Sequence, residues 1–233
     1  MVLIVLMEFT IIGIVGGAII SILITIAIEY LRRPNLHLMI EQPPQEVTYQ
    51  DNLHPARFSR YLRLHLFNKP LPKWARWMLR SPAIQCKGTI TFHHLDGQNV
   101  FGRAMAVRWA GSPQPLPIEG VTEDNKRFQV FDPTRLSLDS RIDVYPGDQQ
   151  LLDVACRLDD DEDCFGWNNE SYLQPMQADL WRTPDWRLQP GRYLVRVSIS
   201  SSGQTCVRVF RLINDVGRRD FRLEPALPGD NPI

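Results

Sequence analysis

The sequence predicts an antiparallel β-sandwich of about eight or nine strands, joined to one N-terminal transmembrane α-helix. Three observations lead to this prediction. One long segment near the N-terminus carries no charge, apolar and polar residues alternate in several later segments, and Gly- or Pro-containing pairs separate those segments. Alternation with a period of two is typical of strands that bury one face.

The uncharged segment runs from Phe9 to Ile28. At about 1.5 Å per residue, a helix of this length crosses the roughly 30 Å hydrocarbon core of a bilayer. A cleaved signal peptide is the alternative, but it needs a basic start, a shorter apolar core and a small-residue cleavage site. No Lys or Arg precedes the segment. We therefore expect an uncleaved anchor over residues 1–31.

The basic residues that flank the span predict its orientation. Arg32 and Arg33 follow the span directly, whereas nothing basic precedes it. Because Lys and Arg are retained on the cytoplasmic side of a membrane, we expect the N-terminus outside and the globular domain in the cytoplasm.

Small residues recur at every fourth position of the span, at Gly13, Gly17, Ser21 and Thr25. This spacing places them along one helix face, where small side chains let two helix backbones approach closely. The pattern predicts a helix–helix seam for self-association or for a partner helix. The alternative is that such residues are simply common in membrane spans.

The remainder of the chain divides into three parts. Residues 32–59 contain four prolines among polar residues, which predicts a short strand at 36–40 followed by a tether. Residues 60–217 carry most of the alternating segments and form the expected β-sandwich domain. Residues 218–233 are rich in proline and are expected to form an irregular tail.

Within the sandwich domain, strands are predicted where alternation or turn punctuation marks them. These segments are 61–67, 87–95, 98–109, 128–131, 141–145, 151–158, 192–200 and 205–213. Asp96-Gly97 is predicted to close one hairpin through a type I′ turn, and residues 201–204 to close the last hairpin.

The closing segment, QPGRYLVRVSISSSGQTCVRVFRLIN, resembles the last hairpin of immunoglobulin-like and fibronectin-like sandwiches. The resemblance covers about two strands and implies an immunoglobulin-like arrangement of the sheets. It implies no function, because the Cys, Trp and Cys framework of true immunoglobulin domains is not recognisable in this chain.

Charge is unevenly distributed, although 26 basic and 26 acidic residues cancel over the whole chain. No acidic residue lies between Asp51 and Asp96, and this basic stretch contains one predicted amphipathic helix, at 72–80. Basic and aromatic residues just after a span are typical of a segment that lies on an anionic membrane surface. The candidate membrane-surface residues are Arg32, Arg33, Lys73, Trp74, Arg76, Trp77 and Arg80.

Two alternatives exist for this basic stretch. Both tryptophans of the helix can instead pack onto the sandwich and leave the basic side solvated. Nucleic acid is the other anionic partner for such a patch, but the chain has no nucleic-acid-binding motif, so this partner is disfavoured.

The densest acidic segment, LDDDEDCFGWNNE, is a candidate cation site. Asp159, Asp161, Asp163 and Glu170 match positions one, three, five and twelve of an EF-hand calcium loop. Position six is Cys164 instead of glycine, and a strand precedes the loop where a helix is required. A solvated acidic loop is therefore favoured over a metal site.

The run FGWNNESY and the downstream LWRTPDW are rich in aromatic and amide side chains. Such side chains dominate protein recognition surfaces. The candidate partner-binding residues are Trp167, Asn168, Asn169, Tyr172, Trp181 and Trp186. The alternative, which we favour, is a long loop held over the sandwich edge by its own aromatics.

Catalytic and cofactor motifs are not found in the sequence. The four cysteines lack a CxxC pair, and no phosphate-binding loop or nucleophile motif is present. We therefore expect no cofactor and name no catalytic residue. Cytoplasmic cysteines are expected to be reduced, whereas with reversed orientation Cys156 and Cys164 are candidates for a disulfide.

These features predict a single-pass membrane-anchored scaffold or accessory subunit. Its cytoplasmic sandwich is expected to bind a protein partner at the inner membrane surface, and its span to join a homo-oligomer or a larger membrane complex. Two alternatives stay open. One is a membrane-bound sensor that binds a small anionic ligand or nucleotide through the Arg-rich sandwich, and the other is an enzyme of unidentified class.

Overall fold

The fold is described from a computed structural model of the chain. The structure describes residues 2–49, 57–75, 77–112, 117–121, 127–131, 140–159, 161–172, 182–215, 217 and 220–230. One α-helix, two main antiparallel sheets and a separate two-stranded ribbon make up the regular structure of these residues.

The N-terminal helix, α1, spans Val2–Arg32. Its Ile14–Arg32 part is long and apolar enough to cross a membrane, and none of this part is buried inside the protein. A helix of this length and apolar composition is typical of a membrane span. The helix therefore fits the anchor that the sequence predicts.

The strands are short and antiparallel, as the alternating segments predict. In chain order they are β1 Leu36–Ile40, β2 Gln45–Tyr49, β3 Arg57–Asn68, β4 Ala83–His93, β5 Met105–Ala106, β6 Arg108–Trp109, β7 Pro117–Val121, β8 Arg127–Phe131, β9 Ile142–Val144, β10 Gln149–Leu158, β11 Cys164–Gly166, β12 Arg187–Leu188, β13 Gly191–Ser201, β14 Gln204–Asn214 and β15 Phe221–Pro225.

The first sheet has the strand order β1-β3-β10-β11-β12, with β2 also paired to β3 and β6 also paired to β10. The second sheet has the order β15-β14-β13-β4-β5, with β9 also paired to β4. Strands β7 and β8 pair only with each other among the described residues. The long strands β3, β4, β10, β13 and β14 therefore lie at the centres of the two sheets.

One hydrophobic core lies between the two sheets. From β3 of the first sheet, Leu62 and Leu64 are buried in it, and from the second sheet Phe92, Val195 and Val197 join them. The residues between them on each strand lie on the other face, which confirms the alternation seen in the sequence. Truncating Leu64 to Ala in such a core costs about 2–5 kcal/mol.

The predicted helix at 72–80 is much shorter in the structure. Only Lys73–Ala75 form a 3₁₀ turn, and the chain continues without helix through the described residues to Ser81. A helix of nine residues is marginal by itself. Here the backbone groups of Ser81 are bonded to α1 and to Asn68 instead of to a helix of their own.

The Asp96-Gly97 hairpin forms, but through a different turn from the predicted type I′. Gly97 N–H donates to His94 O at 2.9 Å, and only Gly97 has positive φ, at 91°. Asp96 keeps negative φ, and its side chain accepts a hydrogen bond from Gln98 N–H at 2.9 Å. This is a type I turn followed by a left-handed glycine, the usual three-residue hairpin loop.

Two strands appear where the sequence predicts irregular chain. Strand β2 lies in the expected tether and pairs with β3, and β15 lies in the expected tail and pairs with β14. Phe221 and Leu223 of β15 are buried in the core while Arg222 between them is not. The proline content of both segments concealed these short edge strands.

Candidate membrane-proximal site

A buried asparagine, Asn68, connects the segment that follows α1 to the sandwich. Its Oδ1 accepts a hydrogen bond from Asn35 N–H at 3.0 Å, and its Nδ2 donates to Ser81 O at 3.2 Å and to Val144 O at 3.1 Å. Lys69 N–H adds a bond to Asn35 O at 2.9 Å. One side chain therefore joins the segment after the helix, the segment after β3, and β9.

The juxtamembrane loop, residues 69–82, is bonded to the C-terminal end of α1. Ser81 N–H donates to Arg32 O at 2.7 Å, and Arg32 Nε donates to Leu79 O at 3.3 Å. The guanidinium of Arg80 donates to Arg33 O. These bonds satisfy carbonyl groups at the helix end that lack partners within the helix.

Large apolar side chains of the same loop face outward. Trp74, Trp77 and Leu79 are 69%, 75% and 79% exposed, while Leu71 and Ala75 are buried and hold the loop to the sandwich. Neither tryptophan therefore packs onto the sandwich. This differs from the alternative in which both tryptophans pack there and leave the basic side solvated.

The structure brings together most of the predicted membrane-surface residues. Arg80 donates a hydrogen bond to Arg33 O, and Arg32 donates one to Leu79 O. Lys73, Trp74 and Trp77 belong to the loop that these bonds attach to α1. Arg76 lies outside the described residues. The result is a basic and aromatic surface at the end of the span.

A basic cleft opens beside this surface, between β1 and the first half of β14, with a volume of about 1120 Å³. Its basic lining residues are His37 from β1, Lys69 from the juxtamembrane loop, Arg196 from β13 and Arg208 from β14. We use the term basic cleft for the space lined by these four residues.

The basic cleft carries uncompensated positive charge. Among the described residues, no carboxylate lies within salt-bridge distance of Lys69, Arg196 or Arg208. Asp230 also lines the cleft, but both of its oxygens accept bonds from Arg211, at 2.6 and 2.8 Å.

The pKa of His37 is affected by the positive charges that line the cleft. Burial lowers the pKa of His37, and the positive charges of Lys69, Arg208 and Arg80 lower it further. Its Nε2 atom is buried and has no hydrogen-bond partner in the described part of the chain. The imidazole is therefore neutral near pH 7 and is surrounded by cations.

The candidate metal ligands are not brought together. Asp161 is bound by Arg182 through two bonds of 2.7 Å, Asp163 accepts a bond from Arg187 at 2.6 Å, and Glu170 accepts one from Trp186 Nε1 at 2.8 Å. Asp159 is exposed and directly follows the last residue of β10. Within the residues that the structure covers, no group of three potential ligands can hold a metal ion.

The candidate partner-binding residues are mostly buried. The side chains of Trp167, Asn168, Tyr172 and Trp186 are at most 2% exposed. Asn169 is partly exposed, and Trp181 lies outside the described residues. The buried side chains therefore offer no contact area at the surface.

Trp167 and Tyr172 cover the outer face of the first sheet, whereas Trp186 belongs to the core between the sheets. Trp167 packs edge-on against Tyr61 of β3 and against Tyr172, with ring centroids 5.6 and 5.5 Å apart. Burial raises the pKa of the Tyr172 hydroxyl to about 12. Residues 173–181, which make up most of the predicted loop, lie outside the described residues, so the loop over the sandwich edge stays a prediction.

A buried ionic cluster under this loop was not identified from the sequence. The Asp153 carboxylate, which is fully buried, bonds Arg63 Nε through one oxygen and Arg108 Nη1 through the other, each at 2.5 Å. Asp153 precedes a bulge in β10, between Asp153 and Ala155. Because the three residues come from three strands, only the sheet pairing brings them together.

All four cysteines are free thiols. Cys156 packs with Tyr61 and Trp167 on the outer face of the first sheet, whereas Cys164 lies in the core between the sheets. The two thiols therefore lie on opposite faces of one sheet and are not placed to form the disulfide considered for reversed orientation.

Searches of the whole chain against protein-family models, curated proteins and solved structures found no match.

Proposed function

We propose that the protein is a single-pass membrane-anchored scaffold or accessory subunit whose β-sandwich is held in one orientation against the cytoplasmic membrane surface. The observation that carries this proposal is the set of hydrogen bonds between the end of α1 and a loop that exposes two tryptophans. In this position the sandwich presents its outer surfaces to a protein partner.

The connection between α1 and the sandwich leaves little freedom. Only residues 33–35 separate the end of α1 from β1, and Asn35 is bonded both to Asn68 and to Lys69. A domain that searches for distant partners needs a flexible tether. The short bonded link instead supports a domain with a fixed height and tilt above the bilayer.

The exposed aromatics supply the membrane contact. Tryptophan favours the membrane–water interface, because its ring is apolar and its indole N–H can bond to headgroups or water. Trp74, Trp77 and Leu79 form an apolar surface beside the end of the span. Their exposure disfavours a position in bulk water and supports one at headgroup depth.

The finer fold assignment also belongs to this proposal. The order β1-β3-β10 in one sheet and β4-β13-β14 in the other corresponds to the order A-B-E and C-F-G of immunoglobulin-like sandwiches. We infer that the domain is an immunoglobulin-like sandwich with additional edge strands, which is an architecture used for binding other proteins.

The helix face with small residues supports association within the membrane. Nothing lies within 4 Å of a Cβ placed on Gly17, and Thr25 Oγ1 bonds to Ser21 O along the same helix at 2.9 Å. The seam is thus free to receive a second helix, either from another copy or from a larger complex.

Membrane depth can be measured with spin labels on the full chain in lipid nanodiscs. We expect a label at Trp77→Cys to collide with lipid-soluble oxygen more often than with a water-soluble nickel chelate. The matched control is Gln98→Cys, in the hairpin at the opposite end of β4 from the juxtamembrane loop. Equal access of the nickel chelate to both labels would refute membrane contact by the loop.

A second candidate function is the binding of a small anion, and the basic cleft is the observation that favours it. Lys69, Arg196 and Arg208 come from three separate elements and line one cleft without a carboxylate partner in the described residues. Unpaired cations around one cleft favour a phosphate ligand.

A further inference from the structure

We propose that the basic cleft binds the headgroup of an anionic phospholipid that carries a phosphate monoester, drawn from the leaflet in which α1 ends. The proposal rests on the membrane attachment proposed above and adds to it a defined lipid site. It assigns the binding contacts to Lys69, Arg196, Arg208 and His37.

The charge of the cleft suits such a headgroup. Lys69, Arg196 and Arg208 provide three cationic side chains. A phosphate monoester carries a charge of about −1.5 to −2 near pH 7, and the phosphodiester of the same lipid adds about one further negative charge. The planar guanidinium groups of the two arginines match phosphate oxygens in pairs.

One end of the cleft lies close to the end of α1. Lys69 N–H bonds Asn35 O at 2.9 Å, and Asn35 is three residues beyond Arg32 at the end of α1. Three residues extend at most about 11 Å, which limits the distance of this point from the helix end. The polar layer of one leaflet is roughly 5–8 Å thick, so the Lys69 end of the cleft lies at most a few ångströms beyond the headgroups.

His37 gives the site a group that responds to a bound anion. It is held neutral by burial and by the cations that face it, which are Lys69, Arg80 and Arg208. Its buried Nε2 atom has no partner among the described residues. A phosphate group in the cleft would offset the surrounding positive charge and could accept a hydrogen bond from the imidazole.

A lipid fits the cleft better than a free anion does. The cleft is open, and Lys69 of the juxtamembrane loop, the loop that also exposes Trp74 and Trp77, is part of its lining. A freely diffusing phosphate would gain nothing from this neighbourhood, whereas a lipid is already concentrated there by the membrane.

Calorimetric titration of the full chain in neutral detergent tests the proposal. The probe is short-chain phosphatidylinositol 4-phosphate, compared with short-chain phosphatidylserine and with water-soluble inositol phosphate. We expect Arg208→Gln and Arg196→Gln each to weaken binding of the first lipid by about tenfold or more, because each removes a charged hydrogen bond. Arg208→Lys should retain much of the affinity.

Arg192→Gln is the matched control, because Arg192 is exposed on the same strand as Arg196 and lies outside the cleft. Each variant is first melted without lipid, so that only variants with unchanged stability are compared. Unchanged affinity in Arg196→Gln and Arg208→Gln would overturn the site. Equal affinity for soluble inositol phosphate would overturn the lipid source, while the depth measured at residue 77 would stand in either case.

Discussion

At the scale of single residues, buried polar groups determine how the strands and segments are joined. Asn68 bonds three segments, and Asp153 bonds two arginines beneath an aromatic loop. Both side chains are fully buried. A buried polar group without a hydrogen-bond partner lowers the free energy of unfolding. Removing one member of such a cluster therefore also destabilises the groups that were bonded to it.

Asp153→Asn is expected to lower the free energy of unfolding by about 3–5 kcal/mol. The substitution keeps the shape of the side chain but leaves Arg63 and Arg108 without a counter-charge, and the side chain of Arg108 is only 2% exposed. Urea unfolding of the full chain in detergent, followed by intrinsic fluorescence, measures this loss.

Asp163→Asn is the control for that measurement. Its partner Arg187 is more than half exposed to solvent, so water replaces the lost ion pair. A loss of at most about 1 kcal/mol is expected for this variant. Equal losses for the two variants would show that burial does not set the strength of the Asp153 cluster.

At the scale of elements, the sequence predicted those parts whose pattern is local. The apolar helix α1 follows from a long uncharged run. The alternation of Leu62 and Leu64 and the final hairpin follow from short periodic segments. The 72–80 helix was overestimated, because hydrogen bonds to α1 from Ser81, distant in sequence, compete with helix formation. Periodicity carries no information about such competition.

The basic cleft could not be predicted from the sequence, because its residues are far apart in the chain. Its residues, His37, Lys69, Arg196 and Arg208, are spread over more than two thirds of the chain. They meet only because β1 and β14 lie at neighbouring edges of the two sheets. By contrast, Arg32, Arg33, Lys73 and Trp77 could be grouped from the sequence, because they lie in the stretch that follows the long apolar segment. Their contact with a membrane stays a prediction.

The helix seam is tested at the same scale. We expect Gly17→Leu to weaken self-association of the full chain in mild detergent, because a large side chain separates the two backbones at the seam. Gly16→Leu is the matched control, since Gly16 is adjacent, is equally free of neighbours within 4 Å and lies off the stripe. Sedimentation equilibrium measures both, and an unchanged association in Gly17→Leu would exclude the seam.

At the scale of the whole molecule, the charges that cancel in the total are separated in space. Arg32, Arg33 and Arg80 meet at the end of the span, and the basic cleft lies beside them. Positive charge at this end is attracted to the anionic lipids of a cytoplasmic leaflet. In the orientation that we propose, this surface faces that leaflet.

Orientation is measured by labelling with a membrane-impermeant maleimide in a Cys206→Ser background. Cys86, Cys156 and Cys164 are buried, and burial raises the pKa of Cys86 to about 11, so the native thiols stay unreactive. We expect Gln98→Cys to be labelled only after the cells are permeabilised. Val2→Cys, at the opposite end of α1, is expected to be labelled in intact cells, and the reverse pattern would contradict a cytoplasmic sandwich.

The edges beside the basic cleft have a further consequence for molecules crowded in a membrane. Among the described residues, β1 pairs only with β3, and residues 204–209 of β14 pair only with β13. Open strand edges invite pairing between neighbouring copies. Arg208 on the β14 edge and Lys69 beside the start of β1 carry like charges that oppose such stacking. If copies associate through α1 as we propose, these charges keep their sandwiches separate.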